Sequence, residues 1–185
     1  TYVTGTSYNG SSYDWVTIKY DSDGNEIWTN TFGGAGLDEA AEIVLDGNND
    51  VIVTGSRYIT GSDWDLAIQK IDGVTGVQDW QYLHTGSANF DGGKDITVDT
   101  NNDVIVAGTY SFSTTDIDYV VVKVSSAGVF DWAYTNGTAN NDEGKLVLTD
   151  ASNNIYVAGH SNVGSGTSYF DFLVMKYAPT GGAPT

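Results

Sequence analysis

"DWVTIKYD" at residues 14–21 returns as "DLAIQKID" at 65–72, "DYVVVKVS" at 118–125 and "DFLVMKYA" at 171–178. Each copy sets an aspartate five residues before a lysine, with almost only apolar residues between. Val16, Thr17 and Ile18, or Val120, Val121 and Val122, leave neither face polar, and a strand written this way is covered on both sides. Lys19, Lys70, Lys123 and Lys176 then stand at the end of a buried strand. A buried ammonium needs an acidic partner, and breaking such a pair costs about 3–5 kcal/mol. The carboxylates in phase are Asp38, Asp91 and Asp142, or the aspartate that opens each strand. The expectation is that all four lysines are structural fasteners tied to these groups.

The repetition extends along the chain. "YVTG" at 2–5 returns as "IVTG" at 52, "IVAG" at 105 and "YVAG" at 156, while Trp28, Trp80 and Trp132 recur 52 residues apart. A unit of about 50 residues holding several short strands is the mark of a propeller blade. Turn clusters rich in Gly, Asn and Asp divide one unit into four strand positions, A (41–46), B (51–57), C (65–72) and D (77–85). The expected fold is all-β, with blades of four antiparallel strands in a single region, 1–185. The units are 1–32 (B-C-D), 33–85, 86–136 and 137–178 (A-B-C), with 179–185 as a terminal linker. That makes about three and a half blades, a partial ring or a piece of a larger one.

Composition narrows the partners. The 185 residues carry 24 acidic against 7 basic side chains, a net charge of −17 that repels a phosphate backbone. Nucleic acid is excluded as a partner, and no apolar run approaches the roughly 20 residues of a membrane span. The absence of cysteine excludes disulfides and thiolate chemistry.

The pattern carried by Val3–Gly5, Asp14–Asp21, Gly24–Trp28, Gly33–Glu39 and Ile43–Asp46, with its recurrences, resembles the bacterial and archaeal seven-bladed β-propeller (SBBP) repeat family. The resemblance implies a secreted or cell-surface location and assigns no chemistry. A seven-bladed ring needs about twice this length. Three arrangements are weighed, in order: a stretch of a longer repeat protein, closure by a second copy, and a small monomeric ring. The remaining blades of its own chain or a second copy are therefore expected partners.

Alternating strand direction puts the B–C and D–A connections on one rim and the A–B and C–D turns on the other. The B–C loops vary, and binding usually resides in variable loops on a repeated scaffold. Tyr8, Tyr13, Tyr58, Tyr110, Phe112 and Tyr169 are the candidate binding residues, for a protein or a glycan; the competing reading is that they merely pack the rim. His84 and His160 fall at unrelated phases, and "GHSNV" at 159–163 lacks the last glycine and the strand–turn–helix setting of a nucleophile elbow. The pairs Asp38/Glu39 and Asp142/Glu143 recur by blade, unlike an active site, so no catalytic residue is assigned. Asp21, Asp23 and Asn25 match the first ligands of a calcium loop, but Glu26 and Phe32 break it. Calcium is kept as the one candidate cofactor. Two functions are expected: a non-enzymatic extracellular binding scaffold, or an accessory segment of a secreted polysaccharide-active enzyme whose catalytic residues lie elsewhere.

Overall fold

The computed structural model describes residues 1–61, 63–85, 89–113, 116–138, 141–162 and 170–184. Fourteen strands are found there: β1 (Tyr2–Tyr8), β2 (Tyr13–Tyr20), β3 (Glu26–Phe32), β4 (Glu39–Leu45), β5 (Val51–Thr60), β6 (Asp63–Ile71), β7 (Gln78–His84), β8 (Gly92–Val98), β9 (Val104–Ser113), β10 (Asp116–Val124), β11 (Phe130–Asn136), β12 (Glu143–Thr149), β13 (Ile155–Asn162) and β14 (Phe170–Tyr177). They form four antiparallel meanders, β1-β2-β3, β4-β5-β6-β7, β8-β9-β10-β11 and β12-β13-β14. Among the described residues no helix is long and apolar enough to cross a membrane. The second-position strand β5 outruns its expected end at 57, because its pairing with β6 continues as far as Thr60 opposite Asp63.

Turn chemistry sets the strand ends. Asn49, Asn102 and Asn153 take left-handed backbone, at φ of 64°, 64° and 62°, a region asparagine tolerates well. In each turn the leading aspartate accepts two amides: Asp46 from Asn48 and Asp50, Asp99 from Asn101 and Asp103, Asp150 from Ser152 and Asn154. The same asparagines also link neighbouring sheets, since Gly47 N donates to Asn102 Oδ1 and Thr100 N to Asn153 Oδ1.

Among the described residues three apolar cores form, one for each junction between successive sheets. Trp15, Trp28 and Phe32 meet Val51, Val53 and Ile71 at the first. Ile52, Leu66 and Ile68 meet Ile96, Val104 and Val122 at the second, and Ile105, Tyr119 and Val121 meet Val147, Val157 and Tyr177 at the third. Sheets flanked on both sides bury both faces of their third strand: Asp65–Ile71 in β6 and Asp118–Val124 in β10 are buried throughout. In β14, by contrast, Met175 and Tyr177 are buried while Phe172 and Val174 are exposed. The two-faced apolar pattern thus reports a neighbour on each side.

Each junction is closed by a tryptophan. Trp28, Trp80 and Trp132 lie against Gly76, Gly128 and Gly181 of the following unit, where a Cβ would come within 2.6–2.8 Å of the indole ring. Those glycines also have positive φ, so an L side chain is disfavoured there by backbone and by space. Trp28 Nε1 donates to Gly73 O and Trp80 Nε1 to Ser126 O across the same junctions.

The lysines find other carboxylates than expected. Lys70 Nζ lies 2.7 Å from Asp46 and 3.1 Å from Asp50, and Lys123 lies 3.0 Å from Asp99 and 3.2 Å from Asp103. Neither bonds Asp38, Asp91 or Asp142, nor the aspartate opening its own strand. Topology explains the correction: the lysine ends the third strand on the rim that bears the A–B turns, whereas those other aspartates occupy the opposite rim. Lys19 and Lys176 depart further. Lys19 lies over the Tyr2 ring and donates to Gly73 O at 2.5 Å, with no A–B turn carboxylate beside it among the described residues. Lys176 lies over the Tyr156 ring, in a unit where Asn154 replaces the second aspartate and Asp150 is engaged by Asn154 and Tyr156.

Burial opposes the charge on Asp46, but the Lys70 hydrogen bond and the two turn amides outweigh it and hold the carboxyl below its usual range. Lys70→Met therefore strands a buried carboxylate and is expected to destabilise the fold by about 3–5 kcal/mol, against about 1 kcal/mol for Lys19→Met. Urea denaturation of the two variants checks this; equal losses would contradict the assignment.

Candidate functional site

The rim bearing the B–C and D–A connections is built on Asp38, Asp91 and Asp142, all fully buried. Their amides donate to Tyr13 O, Trp64 O and Ile117 O of the preceding sheet. Their Oδ1 atoms accept the amides of Tyr58, Ser111 and Asn162 in the sheet they enter. Asp38 Oδ2 further accepts Gly34 N, and Asp142 Oδ2 accepts the Thr138 amide and hydroxyl. Each aspartate thus ties a linker to two successive sheets, and these residues, more than the lysines, fasten the units across this rim.

The candidate aromatics fall into separate groups. Tyr8 and Tyr13 pack at 5.0 Å, both exposed, with the Tyr8 hydroxyl donating to Gly10 O. Tyr58 stands edge-on to Trp64 at 5.3 Å, over Gly36, and Trp64 in turn meets Phe90 at 6.0 Å. Tyr110 packs on Phe112 and on His84, whose imidazole burial keeps below its ordinary pKa. Tyr169 lies outside the described residues. These rings do not form one continuous platform.

What the rim does contain is a cleft of about 250 Å³ between the third and fourth sheets, lined by Phe90, Lys94, Glu143, His160, Phe170 and Asn141 among others. Glu143, first residue of β12, pairs directly with His160 on β13. Its carboxylate lies 2.8 Å from Lys145, 3.8 Å from Lys94 and 3.9 Å from His160 Nε2, the last an ion pair when the imidazole carries its proton. His160 stands edge-on to Phe170 at 4.6 Å, and Lys94 lies over Phe90. Two cations converge on one carboxylate here, in a chain with only 7 basic residues. The arrangement offers two aromatic walls with hydrogen-bond donors and an acceptor between them.

These residues were not chosen from sequence, although the signal was present. Positions 41, 94 and 145 read Ala, Lys, Lys, and positions 6, 56, 109 and 160 read Thr, Ser, Thr, His. Both sets vary on an otherwise repeated scaffold, and antiparallel pairing brings the start of strand A beside the end of strand B.

Asp21 spends its oxygens on its own turn, accepting the amides of Asp23 and Asn25 and the Asn25 side chain, which keeps its carboxyl below the ordinary value. Among the described residues no group of three acidic or histidine side chains is arranged to hold a metal ion.

Comparison with known proteins shows the fold alone. No protein-family model matches the chain, and no curated protein does. Among solved structures it is similar to part of the tricorn protease, a β-propeller-containing protein, at 15% identity and a TM-score of 0.52, over 96% of this chain and 17% of that one. The chain is all-β with propeller-like blades, and it spans under a fifth of that protein's length.

Two buried carboxyls on this rim make stability depend on pH. Burial, reinforced by Asp63 and Asp91, pushes Asp65 up to about 6, against a weaker pull from Arg57. Burial with Asp116 and Asp142 pushes Asp118 likewise to about 6, and its buried Oδ1 has no hydrogen-bond partner among the described residues. Both values lie above the unfolded one near 4, so the stability they contribute is full below pH 4 and is lost as pH rises through about 6. Melting temperature is expected to fall between pH 5 and 7.5, and to fall less in the Asp65→Asn/Asp118→Asn double variant. Thermal unfolding by circular dichroism across that window checks it; a melting temperature that rises with pH would contradict it.

Proposed function

We propose that the chain is three and a half blades of an SBBP-type β-propeller, an extracellular or cell-surface scaffold that holds a glycan on its B–C rim. The observation that carries this reading is the cleft bounded by Phe90 and Phe170, with Lys94, Glu143 and His160 between them. A sugar ring presents an apolar face to an aromatic wall and hydroxyls to charged donors and acceptors at its edge, and pockets of this class combine apolar lining with a few placed polar groups. The acidic surface agrees, since a net charge of −17 keeps the remainder of the molecule from binding anionic polymers at random. The extracellular location rests on the repeat resemblance.

A glycan array probed with the 185-residue chain tests the reading. Binding is expected to fall at least tenfold, about 1.4 kcal/mol, in Phe90→Ala and in Glu143→Gln, and to persist in Tyr8→Ala, which lies outside the cleft. Absence of any glycan signal, or a signal indifferent to Phe90 and Glu143, would overturn it.

A further inference from the structure

A second cleft adjoins the one between the third and fourth sheets. It is lined by Thr6, Glu39, Ser56 and Gly92, together with Phe90 and Lys94, which also line the first. The two spaces therefore lie on either side of a shared wall, the Phe90 ring with the Lys94 ammonium 5.7 Å from its centroid. At about 220 and 250 Å³, each alone is smaller than the about 300–1,000 Å³ of an ordinary small-molecule site, and the two together fall within that range.

Repeat phase gives both clefts the same chemistry. Glu39 and Glu143 each begin a first-position strand, while Thr6, Ser56, Thr109 and His160 share a phase on the second-position strands. One cleft combines Glu39 with Thr6 and Ser56, and the other combines Glu143 with Thr109 and His160. At the intervening copy the glutamate phase is Gly92, where a Cβ would come within 3.1 Å of the Phe90 ring, so the missing side chain leaves that ring its place in the shared wall. The two carboxylates differ in one respect. Glu143 is neutralised by Lys145 at 2.8 Å, whereas Glu39 is exposed and has no hydrogen-bond or ion-pair partner among the described residues, Ala41 standing at the Lys145 phase. A carboxylate in that state accepts hydroxyl protons and repels a second anion.

We infer that the two clefts are adjacent subsites for a neutral linear oligosaccharide, with one sugar beside Glu143 between Phe90 and Phe170, and the next beside Glu39 and Ser56. This rests on the glycan reading above and adds to it a minimum length and a charge. Phe90 serves both sugars, and Lys94 stands at the join as a donor common to the two. An acidic sugar in the second subsite would face the unneutralised Glu39, so uronate polymers are disfavoured.

Isothermal titration calorimetry of the 185-residue chain with mono- to hexasaccharide ladders of neutral gluco-, manno- and galacto-oligosaccharides tests this, with oligogalacturonides as the charged counter-probe. Within a series that binds, affinity is expected to rise about tenfold or more from mono- to disaccharide, because the second sugar adds charge-assisted hydrogen bonds. Glu39→Gln is expected to erase most of that rise, and oligogalacturonides to bind about tenfold more weakly than neutral oligomers of equal length. Affinity independent of length, a rise retained in Glu39→Gln, or equal binding of oligogalacturonides would overturn the two-subsite inference while the single-cleft reading stands. No binding by any neutral ladder would overturn both.

Discussion

A strand with apolar side chains on both faces has to be covered on both, and a single sheet covers neither. That constraint makes the molecule a stack. The third strands β6 and β10 are sealed because sheets stand on either side of them, and the cores lie in the junctions between sheets rather than within any one sheet. Stability in such an array is approximately a sum of unit and nearest-neighbour terms. The tryptophan–glycine contacts and the buried linker aspartates supply the directional part of each neighbour term, one toward either rim.

Electrostatics follows from the same geometry. Placing a lysine at the end of a sealed strand requires compensation, which the A–B turn of the same sheet supplies through two aspartates, the first of which also caps the turn while the second accepts an amide of the neighbouring C–D turn. At Lys19 and Lys176, which have no such pair of carboxylates among the described residues, a tyrosine ring lies beneath the ammonium. Among the described residues the buried carboxyls of the opposite rim have no cation within ion-pair distance; Asp38 and Asp142 are met by amide donors, while burial raises Asp118 to about 6. Two rims built from the same residue type thus differ in their response to acid.

Much of the architecture was legible in the sequence because it is periodic. The count and order of strands, the Asx-rich turns and the recurrence of Trp28, Trp80 and Trp132 all follow from self-comparison. The lysine partners did not, because phase in the sequence does not say on which rim a residue lies; Asp38 and Asp46 are eight residues apart, yet strand β4 carries them to opposite ends of the sheet. The cleft was hidden for a related reason. Glu143 and His160 are 17 residues apart and meet only through the β12–β13 register, while Lys94 arrives from the preceding sheet. Among the rings at the loop positions, Tyr58 packs over Gly36 and against Trp64, while Tyr8, Tyr13 and Phe112 are exposed, a difference that loop position alone does not encode.

Native-state hydrogen exchange, resolved by residue, tests the two-sided covering of the third strand most directly. The account predicts that amides of Leu66–Ile71 and Tyr119–Val124 exchange only through global opening, and far more slowly than amides of β7 and β11 bonded into the same sheets. Equal protection across the third and fourth strands, or faster exchange in β6 and β10, would contradict it.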